Sequence, residues 1–249
     1  MAILITGGTK GIGLAVAKRF AAPGVDIFLN YLRDEAAAEA AVAAAATLRA
    51  LGARPHVIRA DVATPAGVGA LLAEVGGVVE TLDLIVHCAV RVLVGPLLSL
   101  DPTAFGEAIA LNGVSLVTLV QAARPLLRRG SSIIFLSSRG SRQVISGYGA
   151  IGAGKALAEA LVRYLVPELA PLGVRINCIA PGTLDTEAVR NLFGEATDAF
   201  LASECAGNPS GRNVTHDDYT GLIAFLASPE AQMIQGQTIF VNGGQYIVP

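Results

Sequence analysis

Seven short runs dominated by apolar residues punctuate the chain: AILIT (2–6), DIFLNY (26–31), RPHVIR (54–59), LDLIVHC (82–88), SIIFLSS (132–138), VRINCIA (174–180) and QTIFVN (237–242). Most are unbroken rather than alternating, which is the pattern of strands covered on both faces. Between them, apolar positions recur with helical spacing near 12–21, 34–50, 66–79, 103–128, 149–170 and 216–227. This alternation predicts a single α/β domain over 1–249, a doubly wound parallel sheet of about seven strands with helices on both faces and right-handed crossovers. The alanine-rich run 36–46 is a plain surface helix, since alanine is the best helix former. Residues 183–215 carry the least regular pattern. A connection of that length inside a compact domain predicts a substrate-binding flap.

Composition narrows the classes. The 249 residues are 53% hydrophobic and 15% charged, which excludes a disordered chain, and the net charge of −2 gives no electrostatic case for nucleic acid or an anionic membrane. Cys88, Cys178 and Cys205 are far apart and form no CxxC pair, so neither a disulfide framework nor a metal site is expected. The opening MAILITGG carries no basic leader, and no stretch reaches the roughly 18 uninterrupted apolar residues of a membrane span. The expectation is a cytoplasmic protein with no membrane partner.

The first strand runs into ITGGTKGIGLAVAKRF. Gly7, Gly11 and Gly13 at the first strand–helix turn allow backbone N–H groups to approach a pyrophosphate at a helix N-terminus, a Rossmann-like dinucleotide site. The second strand ends NYLRD, where an acid usually holds a ribose 2′-hydroxyl. Here Arg33 stands close to that position and Lys10 lies in the glycine loop, two cations that suit the 2′-phosphate of NADPH better than NADH. Asp34 and ordinary solvated charge are the counter-readings. Asp61, after the third strand, either accepts from the adenine amine or caps the next helix.

With Gly7, Gly11 and Gly13, LNG at 111–113, SS at 137–138, Lys155 and NCIAPG at 177–182, the chain resembles the short-chain dehydrogenase/reductase family along essentially its whole length. The resemblance implies a catalytic set in which Asn112, Ser138 and Lys155 occupy family positions. It also implies a cofactor lining drawn from Thr9, Ile12, Val62 and Cys88 on one side. Lys155, Pro181, Gly182, Leu184 and Thr186 complete it on the other. The family's tyrosine stands four residues before the lysine, and that residue here is Ile151. Tyr148-x6-Lys155 instead resembles the spacing of the enoyl-acyl carrier protein reductases of the same family, as do PGTLDTEAV and the C-terminal GNPSGRNV to FVNGG. Where the family has NNAG after the fourth strand, this chain has HCAV (87–90), then Arg91. His87 is either a proton donor or a satisfied structural histidine, and Arg91 is a possible cofactor or substrate contact. The long helices 103–128 and 149–170 usually pair between subunits in this family, which implies a homodimer or homotetramer.

On a helix, seven residues return a side chain to within about 20° of the same face, and the axial separation is about 10.5 Å rather than about 6 Å for four residues. Tyr148 therefore shares a face with Lys155 but sits a turn nearer the helix start, where Lys155 is less able to depress its pKa. That geometry suits stabilising charge on the thioester oxygen of an enoyl substrate. The alternatives for Tyr148 are a packing role, or an acid for ketone reduction. Gly152 and Gly154 inside a helix each cost up to about 1 kcal/mol relative to alanine, which calls for close approach to cofactor, substrate or a partner subunit. Arg139 and Arg142, and more weakly Arg124, Arg128 and Arg129, are candidates for an acyl carrier protein. The sequence thus points to NADPH-dependent reduction of a 2-enoyl thioester in fatty-acid or polyketide-type biosynthesis. An NADPH-dependent carbonyl reductase and a catalytically silent nucleotide-binding protein are the alternatives.

Overall fold

A computed structural model of the chain describes residues 1–32 and 35–247. Its strands and helices follow in order: β1 (Ala2–Thr6), α1 (Gly11–Phe20), β2 (Asp26–Tyr31), α2 (Glu35–Ala50), β3 (Arg54–Arg59), α3 (Pro65–Gly76) and β4 (Leu82–His87). The second half runs α4 (Pro102–Ile109), α5 (Ser115–Ala123), β5 (Leu127–Leu136), α6 (Gly149–Leu169), β6 (Arg175–Pro181), α7 (Glu187–Phe193), α8 (Thr197–Ala206), α9 (His216–Ala227) and β7 (Thr238–Val241). All seven strands pair in parallel in the order β3-β2-β1-β4-β5-β6-β7, so the expected doubly wound sheet is observed.

Two cores explain the unbroken apolar strands. Ile3 and Ile5 of β1 face one side with Leu48, Ile134, Tyr219 and Ile223. Leu4 between them faces the other with Phe28, Leu71, Leu119 and Phe135. A period of two sends neighbouring residues to opposite faces, and both faces are covered. Buried Arg175 donates from its guanidinium to the carbonyls of Leu226, Ser228 and Ala231, tying the end of α9 to β6.

Three expectations need correction. The helix predicted over 103–128 is α4, a π-helical turn at Ala110–Val114, α5 and a 3₁₀ turn at Arg124–Leu126. The run Pro102–Leu126 is long and apolar enough, by length and composition, to cross a membrane. Here it packs Leu116, Leu119, Val120 and Ala123 into the core. Strand β5 starts at Leu127, earlier than the apolar signal, because its first residues are exposed and polar. Residues 183–215 are not irregular: they contain α7 and α8.

The glycines of α6 have an internal reason. A Cβ on Gly152 would lie 2.4 Å from the Gly140 carbonyl oxygen, and one on Gly154 would lie 2.6 Å from Asn112 Cβ. The close approach is therefore to the chain's own segments. Gly152→Ala should destabilise the protein by about 1–3 kcal/mol through overpacking, outweighing the helix propensity gained. A urea denaturation series checks this, and a variant as stable as wild type would show that the Gly140 backbone yields.

Candidate active site

The strand order reverses between β1 and β4, and a doubly wound sheet opens a crevice at the carboxyl ends of those strands. The turn after β1 is built for close approach. Gly7 and Gly11 have φ of +62° and +53°, and a Cβ on Gly13 would stand 2.3 Å from the Gly7 carbonyl. Around Gly11 nothing approaches within 4 Å of a Cβ position. Lys10, at the N-cap of α1, makes no side-chain capping bond, which leaves the first amides of the helix without a side-chain acceptor. These features fit the pyrophosphate of a dinucleotide. Lys10 Nζ forms an exposed 3.1 Å ion pair with Glu187 at the start of α7, and Arg33 and Asp34 lie outside the described residues.

The other expected cofactor residues divide. Thr9 is buried and Ile12 faces the cavity described below. Asp61 Oδ1 accepts from the Ala63 amide, and the cap of α3 is Thr64, so the capping role considered for Asp61 belongs to its neighbour. Val62 packs into the core beside α3. Burial pushes the Cys88 thiol up to about 12, so it is neutral at physiological pH.

HCAV has a structural explanation. His87, fully buried, lies 2.7 Å from Thr6 Oγ1 through Nδ1 and 2.8 Å from Ser115 Oγ through Nε2. Ser115 donates to the Leu111 carbonyl, and Thr6 accepts from the Ala89 amide. These partners fix the protons: Nε2–H donates to Ser115, and Nδ1 accepts from Thr6. Burial, and then the Lys155 charge, push His87 down to about 3, so it is a neutral tie between β1, β4 and the π-helical turn. The proton-donor role is not supported. Arg91 pairs with Glu107 at 2.5 Å, and its backbone N–H and C=O are both held by the Asn112 amide at 2.9 Å. The expected relay residue Asn112 thus spends its side chain bracing the segment after β4.

Ser138 and Tyr148 come together. Tyr148 is the N-cap residue of α6, following Gly147 at φ +70°, and its ring lies over Gly140. Its side chain lies beside Ser138, whose Oγ accepts from the Gly140 amide. Burial raises the Tyr148 pKa, opposed by the neighbouring Ser138 hydroxyl and the Arg139 charge. Ile151, at the family's usual tyrosine position, is 2% exposed and apolar. Lys155 is turned away from Tyr148: its Nζ donates to the Leu136 carbonyl at 2.7 Å and lies 4.4 Å from the Phe135 ring centroid. Burial lowers it to about 8.

A cavity of about 230 Å³ is lined by Ser138, Arg139 and Tyr148 on one side. Pro181, Gly182, Leu184 and Thr186 line the other, so these four expected cofactor residues share it with Ser138 and Tyr148. Phe193 and Phe200 of the flap helices close it, stacked with centroids 4.0 Å apart. Sequence reasoning missed this pair, because its two rings belong to separate helices, α7 and α8, brought together by the turn at Gly194–Ala196. Both arginines considered for an acyl carrier protein have partners within the chain. Arg139 pairs with Glu204 at 3.0 Å and Arg142 with buried Glu159 at 3.2 Å, so neither is a free docking cation.

The parallel sheet, the glycine turn and the crevice lined by Ser138 and Tyr148 together mark a dinucleotide-dependent oxidoreductase. The chain belongs to the short-chain dehydrogenase/reductase family, and its residues 7–245 match the family described as Enoyl-(Acyl carrier protein) reductase. It is 31% identical to the 1-cyclohexenylcarbonyl-CoA reductase of Streptomyces collinus, over 98% of this chain and 86% of that protein. It is 32% identical to the NADH enoyl-[acyl-carrier-protein] reductase FabI of Synechocystis sp., over 96% and 93%. A 3-oxoacyl-[acyl-carrier-protein] reductase, FabG of Staphylococcus aureus (strain Mu50), is 31% identical over 98% and 97%. Among solved structures, a short-chain dehydrogenase from Burkholderia cenocepacia in complex with NADP superposes with a TM-score of 0.86 at 31% identity, covering 98% of this chain and 96% of that one.

Because His87 is depressed from 6.5 to about 3, the unfolded chain binds a proton in that window that the folded chain does not. His87 should therefore cost stability as pH falls from about 6.5 toward 3, at a slope near 1.4 kcal/mol per pH unit. The difference between wild type and His87→Asn in denaturant titrations at several pH values measures that slope. A flat difference would refute the neutral, buried assignment.

Proposed function

We propose that the protein is an NADPH-dependent reductase of 2-enoyl thioesters. The observation that carries this is the placement of Tyr148, held at the mouth of α6 beside Ser138, while Ile151 leaves no acid at the position ketone reduction normally uses. When bound, the nicotinamide nucleotide supplies a hydride. Hydride addition at the β-carbon drives the π electrons toward the thioester oxygen, and the α-carbon then takes a proton. Tyr148 supports the first event by donating a hydrogen bond to that oxygen, which the positive end of α6 also favours. Ser138 lies beside the phenol, and buried Lys155, with its Nζ on the Leu136 carbonyl, braces the end of β5 from which Ser138 projects. The stacked Phe193 and Phe200 exclude water from the acyl end.

The match to an enoyl reductase family and the likeness to a 1-cyclohexenylcarbonyl-CoA reductase support the reading. The likeness to a 3-oxoacyl reductase supports ketone reduction as the second reading. For the cofactor, Lys10 and Arg33, with no acid at the end of β2, favour the 2′-phosphate, and a structural relative binds NADP.

NADPH oxidation should be at least tenfold faster with a 2-enoyl thioester than with the matching 3-ketoacyl thioester, and Tyr148→Phe should lose about 10²-fold or more in kcat. Faster turnover of the ketone, or near-full activity of Tyr148→Phe, would overturn the reading. Lys10→Ala should weaken NADPH binding about tenfold and leave NADH nearly unchanged, as followed by nucleotide fluorescence. Equal loss for both nucleotides would remove the 2′-phosphate role.

A further inference from the structure

Lys155, which the seven-residue spacing places on the same helix face as Tyr148 but about two turns away, is turned into the sheet toward Leu136. The cation that faces the Tyr148 cavity is another. Arg139 directly follows Ser138 and lines that cavity with Ser138 and Tyr148. The short 3₁₀ turn it opens, Arg139–Ser141, is capped by the Ser138 hydroxyl and carries Gly140, the residue on which the Tyr148 ring rests.

Three groups fix the guanidinium. Arg139 Nη1 stands 3.0 Å from Glu204 Oε2, the two side chains being only 16% and 12% exposed. Its Cζ lies 4.0 Å from the centroid of the Tyr246 ring. Glu204 is itself positioned by Thr183 Oγ1, which donates to Oε2 at 2.5 Å, and by the Tyr246 hydroxyl, which donates to Oε1 at 3.1 Å. Nη1 makes no directed hydrogen bond, since its N–H bonds are not aimed at the carboxylate oxygen. Charge and stacking, rather than a closed hydrogen-bond fork, hold it.

The other charges around Tyr148 are already spent. Along α6, Glu159 is matched by Arg142, and Lys155 faces the Leu136 carbonyl. In the flap, Glu187 pairs with Lys10 and Asp185 with Arg190. Cys88 stays neutral.

We infer that Arg139 is the positioning cation for Tyr148, taking the role the spacing denies to Lys155, and that Glu204 of α8 sets how much of its charge the phenol feels. The inference rests on Tyr148 being the donor of the proposed reaction. Opposite changes in the two partners should have opposite effects, which a merely structural pair would not show.

The titration of Tyr148 can be read directly from the tyrosinate ultraviolet difference spectrum, with Tyr148→Phe as the blank. Arg139→Met should raise the Tyr148 midpoint by about one pH unit, Glu204→Gln should lower it by a similar amount, and Arg139→Lys should restore most of the wild-type value. The alkaline limb of kcat with the enoyl thioester should move in the same directions. Midpoints that do not move, or that move the same way in both variants, overturn the inference. Opposite spectral shifts with an unmoved kcat limb uphold it, while removing Tyr148 from the proposed reaction.

Discussion

Everything at the catalytic end of the molecule depends on α6 lying closer to its neighbours than a helix with side chains could. The distances of 2.4 Å and 2.6 Å that a Cβ at 152 or 154 would meet are below any real carbon contact. Without those two methyl groups the Gly140 carbonyl and Asn112 can press against the helix. Pressing Gly140 down supplies the floor for the Tyr148 ring, and pressing Asn112 in places its amide where it grips the Arg91 backbone. One packing constraint therefore positions the phenol, the wall that carries Arg139, and the segment leaving β4.

Electrostatics at the site follow from what packing leaves exposed. Lys155 and His87 are buried deeply enough that burial moves both toward their neutral forms. Both spend their polar atoms on neighbours, Lys155 on a carbonyl and His87 on two hydroxyls. Charge at the cavity surface therefore comes from the 3₁₀ turn after β5 and from the flap. The flap is consequently more than a cover, since its α8 helix supplies the Glu204 carboxylate and its α7 helix reaches Lys10 of the nucleotide turn.

Much of this was legible in the sequence, for a physical reason. Strands β1 and β2 begin and end where the apolar runs do, because strands covered on both faces must be apolar throughout their length. The glycine turn was legible because positive φ and contact with a carbonyl both demand glycine. The early start of β5 was hidden, since Arg128, Arg129 and Gly130 are exposed and carry no burial signal. α7 and α8 were hidden because the flap's composition is mixed and its apolar residues are few. The roles of Arg139, Glu204 and Gly154 depend on contacts between residues distant in sequence. A local pattern can show that Gly154 is unusual in a helix, but not that Asn112 is the reason.

The hydrogen-bond chain through His87 has an evolutionary consequence. It runs in one direction, from the Ala89 amide through Thr6, His87 and Ser115 to the Leu111 carbonyl, with each oxygen and nitrogen used. Replacing His87 alone strands a buried hydroxyl, and replacing Ser115 alone strands an imidazole N–H. Positions 6, 87 and 115 therefore form a single epistatic unit that can change cheaply only together.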